Sequence, residues 1–278
     1  MTRSSILVDV TKCSGCYNCF LACRDEHYEN DYPGYSAAQP LNDQFWMQIK
    51  EIERGTYPKP KVSYIPVFCQ HCSEAPCIDA ATDGAVYRRD DGIVVIDPEK
   101  AKGQAAIVNA CPYRVVYWNA EKQLPQKCTL CAHRLDEGEK QPRCVESCPT
   151  GALVFGDLDD ANSDIAKLAA AREVRAFHPE YGTDPLIQYI GIPKRFVAGE
   201  VVLAGKQDEC AQGIRVTLDG GGGQRQTITD LFGDFEFEGL EKNQRYQIAI
   251  AADRYVAKRI EVTTCKDVNL GEIILEPE

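Results

Sequence analysis

Three observations predict an α+β chain in two unlike parts. Twelve of its fourteen cysteines fall before residue 150, in short-spaced runs. The region holding them matches itself under two fixed offsets, as a duplicated chain does. From about residue 196 apolar and polar residues alternate, the period of half-buried strands. The expected layout is a cysteine-rich domain over 1–160, a helix and extended linker over 161–195, and an all-β sandwich over 196–278.

Composition narrows the function. With 278 residues, 44% hydrophobic and 26% charged, the chain is long enough for two ordinary globular domains. A net charge of −11 argues against nucleic acid and an anionic membrane surface as partners. No apolar run approaches the roughly 18 residues of a spanning helix, so membrane insertion is not expected. The opening "MTRSSILVDVTKC" has neither an apolar signal core nor twin arginines. A cytoplasmic location is expected, or carriage elsewhere by a partner's signal. In a reducing compartment, clustered cysteines read as metal ligands rather than disulfides.

The first run is Cys13-x2-Cys16-x2-Cys19-x3-Cys23, the spacing of a bacterial ferredoxin loop. Three thiolates of such a loop hold one iron–sulfur cube. The fourth, at the start of the next helix, turns away to a second cube. Further on come Cys69-x2-Cys72-x4-Cys77, then Cys111-Pro112, then Cys128-x2-Cys131-x12-Cys144-x3-Cys148-Pro149.

An offset of 88 residues lays Asp9 on Asp97, Gly15 on Gly103 and Cys23 on Cys111. It also puts Cys13, Cys16 and Cys19 on Ala101, Gln104 and Ile107. A second offset, of 67, lays Cys77 on Cys144 and Gly84 on Gly151, with Ala81 opposite Cys148. These four vacant positions are the complete ligand set of one cube under the two-cluster ferredoxin rule. The same rule groups Cys69, Cys72 and Cys77 with Cys111, then Cys13, Cys16 and Cys19 with Cys148, and Cys128, Cys131 and Cys144 with Cys23. The expected domain is a double ferredoxin-like fold with three 4Fe–4S clusters, conversion of one to a three-iron form being left open. Zinc is the rival, since four-cysteine zinc sites also use C-x2-C pairs, but it does not account for the correlated loss.

Cubes ligated wholly by thiolate move single electrons and leave no open position for a substrate. No nucleophile–base motif or phosphate loop is visible, so no catalytic residue is expected in this chain. "DGGGGQ" at 219–224 lies between alternating runs and reads as a hairpin turn. His71 and His133 sit beside ligand cysteines and are expected to hydrogen-bond cluster sulfur or pack on it rather than ligate. Lys12, Lys127 and Arg143 each precede a ligand cysteine. Either they raise a reduction potential, or they are simply solvated.

The insert over 26–66 is rich in aromatics, among them Tyr28, Tyr32, Tyr35, Phe45, Trp46, Tyr57 and Tyr64. Such a surface favours a protein interface over a mere cover for the clusters. "NSDIAKLAAAREVRAF" at 162–177 reads as a helix capped by Ser163, and the proline-bearing stretch after it as an extended linker. In the β part Ile214, Val216, Leu218, Phe232, Phe235, Phe237, Leu240, Tyr246, Ile248 and Ile250 are expected inward. "TDLFGDFEFEGL" resembles the carboxypeptidase-regulatory, transthyretin-like sandwich, which implies a docking or stabilising role. Cys210 and Cys265 are expected as free, buried thiols.

The cysteine pattern resembles the iron–sulfur subunits of molybdopterin oxidoreductases of the dimethyl-sulfoxide-reductase type, which carry four such runs and four clusters. With three, and with "RDEHYENDYPGYSAAQ", "ERGTYP", "QKCTLCAHRLDEG" and the β-rich tail, the chain is most similar to the phenol-acting branch. That branch comprises the small subunits of pyrogallol–phloroglucinol transhydroxylase and resorcinol hydroxylase. The resemblance implies a large catalytic partner carrying molybdenum or tungsten in bis-molybdopterin guanine dinucleotide, with this chain exchanging electrons with it and possible passage to an external acceptor. The alternative is the electron-transfer subunit of a respiratory reductase for sulfur, arsenic or N-oxide compounds.

Overall fold

The computed structural model describes residues 3–206 and 209–278. Two compact units divide it: Met1–Ile52 with Ser63–Ile192, and Glu53–Val62 with Pro193–Glu278. In the first, β1 (Ser4–Asp9) leads through the first cysteine loop into α1 (Asn18–His27). A hairpin follows, β2 (Gln48–Arg54) and β3 (Lys61–Val67), whose tip is counted with the second unit. Next come α2 (Pro76–Asp79), the hairpin of β4 (Val86–Arg88) and β5 (Val94–Ile96), and α3 (Ala106–Ala110). After them lie the hairpin of β6 (Tyr117–Asn119) and β7 (Leu124–Gln126), then α4 (Ala132–Asp136) and α5 (Arg143–Glu146). The unit ends with β8 (Leu153–Asp157), α6 (Asp164–Ala171), β9 (Val174–Ala176) and β10 (Gln188–Ile190).

The two sequence offsets recur in the backbone. β8 pairs antiparallel with β1, Leu153 opposite Val8, and β4 pairs antiparallel with β5, Val86 opposite Ile96. The Asp9 amide donates to the Ala152 carbonyl at 2.7 Å, and the Asp97 amide to the Ala85 carbonyl at 2.8 Å. Each aspartate then turns the chain into its loop by accepting the amide two residues on: Thr11 at 3.1 Å and Glu99 at 2.9 Å. Gly15 and Gly103 follow at φ 69° and 78°, a left-handed backbone that only glycine enters without strain.

Strand β1 is central in a sheet of order β8-β1-β10-β9, antiparallel to β8 and parallel to β10. Ile6, Leu7 and Val8 are all buried, so both faces of β1 are covered: Ile6 and Val8 join the main core, while Leu7 packs with Ile165 of α6 and Ile190. This departs from the expected linker. Ser163 caps α6 through the Ala166 amide at 3.2 Å, but the helix ends at Ala171 instead of reaching 177. Val174–Ala176 goes into the sheet, since β-branched Val174 has an open strand, β10, to pair with. The stretch after it is integral as well: Ile187 and Tyr189 are fully buried. The first unit runs to Ile192 rather than 160.

The second unit is β-rich, as expected. It holds β11 (Arg195–Leu203), β12 (Arg215–Gly220), β13 (Gly223–Ile228), β14 (Asp234–Leu240), β15 (Arg245–Ala251), β16 (Lys258–Thr263) and β17 (Val268–Leu275). Two sheets, β14-β11-β17 and β13-β12-β15-β16, share one apolar core that includes Val197, Phe235 and Phe237 from the first and Val216, Ile248 and Ile250 from the second. Gly221 and Gly222 close the β12–β13 hairpin with positive φ, the two-residue turn read from "DGGGGQ". Phe232 differs from expectation: it is 69% exposed, in the turn ahead of β14. Cys210 and Cys265 are free but exposed rather than buried, because both lie outside the strands.

Candidate metal centres

Cys13 and Cys16, from the loop between β1 and α1, and Cys19, in the first turn of α1, meet Cys148, which follows α5. Together they line one pocket that is partly open to solvent. Cys16 is exposed and Cys13 and Cys148 partly so. Burial pushes the Cys19 thiol up to about 12, and the neighbouring Cys13, Cys148 and Cys16 add to it. Cys148 goes the other way. Burial acts on it first, but the amides of Leu153, Ala152 and Thr150 and the Thr150 hydroxyl more than offset it and lower its pKa. The proline after the cysteine has no N–H of its own, so these donors all come from further along the chain.

A second cavity is lined by Cys69, Cys72, Cys77 and Cys111, together with His71 and Lys127. Burial drives Cys72 up to about 12 and Cys77 to about 11. Cys111 is raised too, against the amides of Val115, Tyr113 and Arg114, which repeat the Cys-Pro arrangement at Cys148. The third group has Cys23 on α1, Cys128 and Cys131 at the entry to α4, and Cys144 on α5. Burial carries Cys23 and Cys144 well above the ordinary thiol range, with Cys128 and Cys131 among the neighbours raising both. In all three groups neighbouring sulfurs disfavour one another's thiolate forms. Holding several thiolates together needs a cation to take up the charge.

The vacated positions hold no such group. Ala101 and Ile107 are fully buried and pack with Val94, Val116 and Ala81 in a small apolar core of their own. Gln104 clamps the loop: its Oε1 accepts the Thr82 amide at 2.8 Å, and its Nε2 donates to the Lys100 carbonyl at 2.9 Å.

Several supporting residues went beyond the spacing. The Thr183 side chain hydrogen-bonds the Tyr113 hydroxyl at 2.8 Å and counters the upward shift of the Cys72 thiol. Its segment is pinned to the cysteine loop by the Ser73 amide on Asp184 and the Glu74 amide on Thr183. No ligand spacing marks Thr183, and only the fold brings it there. Part of the aromatic insert is used internally: Trp46 is 1% exposed, Tyr32 stacks on His133 at 3.6 Å, and the Tyr35 hydroxyl donates to Asp136 at 2.5 Å, whereas Tyr57 and Phe45 are exposed. His133 bonds Glu26 at 2.9 Å instead of a sulfur. Among the cations, Lys12 is half exposed beside Asp9 and Arg143 reaches Glu146, whereas Lys127 is buried.

The model of the 4Fe-4S dicluster domain matches residues 60–158. Over 99% of its length the chain is 40% identical to the whole of the pyrogallol hydroxytransferase small subunit of Pelobacter acidigallici. It is 36% identical to a tetrathionate reductase subunit of Salmonella typhimurium, over 70% of this chain and 75% of that one. A putative dimethyl sulfoxide reductase iron-sulfur subunit of Halobacterium salinarum is 34% identical, over 68% and 79%. Among the described residues no helix is long and apolar enough to cross a membrane. Cysteine groups set in a ferredoxin-like frame, and likeness along the full length, give one conclusion: the chain belongs to the 4Fe–4S iron–sulfur subunits of the dimethyl-sulfoxide-reductase-type molybdopterin oxidoreductases.

Proposed function

We propose that this chain is the electron-transfer small subunit of a two-subunit enzyme acting on polyhydroxylated benzenes. Its first unit is a double ferredoxin. The half built on β1 and β8 holds two 4Fe–4S clusters, through Cys13, Cys16, Cys19 and Cys148 and through Cys128, Cys131, Cys144 and Cys23. The half built on β4 and β5 holds a third, through Cys69, Cys72, Cys77 and Cys111. Each cluster supplies reversible one-electron storage. The chain's own part is to shield the clusters from water, fix their spacing and direct amide N–H groups at sulfur. The large partner carries molybdenum or tungsten in bis-molybdopterin guanine dinucleotide and holds the substrate. We place the complex in the cytoplasm, and regard the transthyretin-like second unit as a docking or stabilising element.

One observation carries the substrate class. The likeness to the pyrogallol hydroxytransferase small subunit runs through the β-rich second unit, whereas that to the two reductase subunits covers 68% and 70% of the chain. The test is to purify the chain with its natural partner and assay pyrogallol and resorcinol, with and without an artificial electron acceptor. Turnover of either phenol is expected. Activity confined to tetrathionate, arsenate or an N-oxide overturns the reading and favours the respiratory alternative.

A further inference from the structure

Resting on the assignment of Cys69, Cys72, Cys77 and Cys111 to one cluster, we propose that His71 and Lys127 form a paired donor set that stabilises the reduced state of that cluster and raises its potential. Both are held by a single residue of β5. The Val94 amide donates to His71 Nδ1 at 3.1 Å, and Lys127 Nζ donates to the Val94 carbonyl.

The first bond fixes the tautomer. An amide N–H can only donate to a ring lone pair, so Nδ1 carries no proton and the neutral ring holds its proton on Nε2. His71 is 1% exposed, and Nε2 is buried without a hydrogen-bond partner. A buried N–H with no acceptor is costly, and native folds rarely leave one so. The ring lines the same cavity as the four cysteines. A cluster sulfur is the acceptor that the site offers.

Lys127 makes the matching case by charge. It is 2% exposed, its ammonium also donates to the Cys128 carbonyl at 3.1 Å, and no carboxylate lies within ion-pair distance of it among the described residues. A buried cation without an anion is strongly unfavourable. A thiolate-ligated cube is the missing anion, and it gains one more negative charge on reduction. Attraction to a fixed cation, and an N–H bond to sulfur, both strengthen as that charge grows, so both favour the reduced form. Lys12 and Arg143 are more exposed and lie next to carboxylates that offset their charge. Val94 itself packs against Ala101 and Ile107, so the apolar plug at the vacated positions backs the residue that holds both donors.

The experiment is a potentiometric titration of the purified two-subunit complex, followed by electron paramagnetic resonance, with iron measured on every sample. His71→Phe and Lys127→Met are each expected to keep full iron and to move the potential of the Cys69 cluster downward, Lys127→Met moving the Cys128 cluster as well but by less. In protein labelled with ¹⁵N-histidine, a pulsed-resonance coupling to that cluster is expected in the parent and absent in His71→Phe. Full iron with unmoved potentials in both variants overturns the proposal. So does loss of the cluster from Lys127→Gln as well as Lys127→Met, which makes the lysine structural. A parent complex with iron for only two cubes sinks the ligand assignment instead.

Discussion

The half of the first unit built on β1 and β8 and the half built on β4 and β5 share their strand register, their aspartate turns and their left-handed glycines. They differ in what fills the frame. One presents Cys13, Cys16 and Cys19 around a cavity, while the other puts Ala101, Gln104 and Ile107 at the same offsets and packs them solid. The frame is thus held by backbone hydrogen bonds and turn residues that do not depend on metal. Ligands can be lost from it when apolar side chains take over the packing, provided that all four of a set go together. An isolated buried thiol without its partners gains nothing from iron. The loop therefore keeps its outline without its cysteines.

The largest expected effect separates the two kinds of filling. Cys111→Ser removes a ligand, so one whole cube is expected to be lost, about a third of the iron at four irons per cube. Iron analysis and the loss of one resonance component check this. In the same measurement Gln104→Ala, inside the vacated set, is expected to leave iron unchanged. A fall in iron with Gln104→Ala breaks the comparison, since it makes the vacant positions part of a metal site.

Next in size is the plug. Ile107 is fully buried among Val94, Val116 and Ala101, so Ile107→Ala is expected to destabilise the fold by about 2–5 kcal/mol through lost burial and a residual cavity. Chemical denaturation of the iron-loaded protein reads it. A near-neutral result means that the plug is soft, and that the half with one cluster leans on its metal as heavily as the other half does.

Much of this frame was readable from residues alone, because cysteine, aspartate and turn glycine do singular things and recurred at fixed offsets. The β12–β13 turn was readable for the same reason. The rest depended on partners far away in sequence. Val174–Ala176 and Gln188–Ile190 are strands of three residues, too short to show a period, and they exist because β1 offers an edge to β10. Thr183 reaches Cys72 only through that docking. Lys12, Lys127 and Arg143 look equivalent in sequence, each one residue ahead of a cysteine, and burial alone tells them apart. The aromatic insert had the composition of an interface, yet Trp46 and Tyr32 spend theirs within the fold.

The smallest effect concerns how the halves are joined. Arg89, just after β4, makes a forked contact with Asp136 of α4, 2.7 Å to each carboxylate oxygen, and Tyr35 donates to the same carboxylate. These partners, Arg89 first, hold the Asp136 carboxyl down to about 2, below its ordinary value of about 4. A depressed carboxyl stabilises the fold above its unfolded value, and that contribution is lost as pH falls through the folded value, here between about pH 4 and 2. The carboxylate is 40% exposed, so solvent screens it and the pair is worth at most about 1 kcal/mol. Asp136→Asn is therefore expected to lower the melting temperature slightly at pH 7 and to leave it unchanged near pH 2, measured by calorimetry. An equal deficit at both pH values means that the two halves are joined here by packing of Tyr35 rather than by the charge on Asp136.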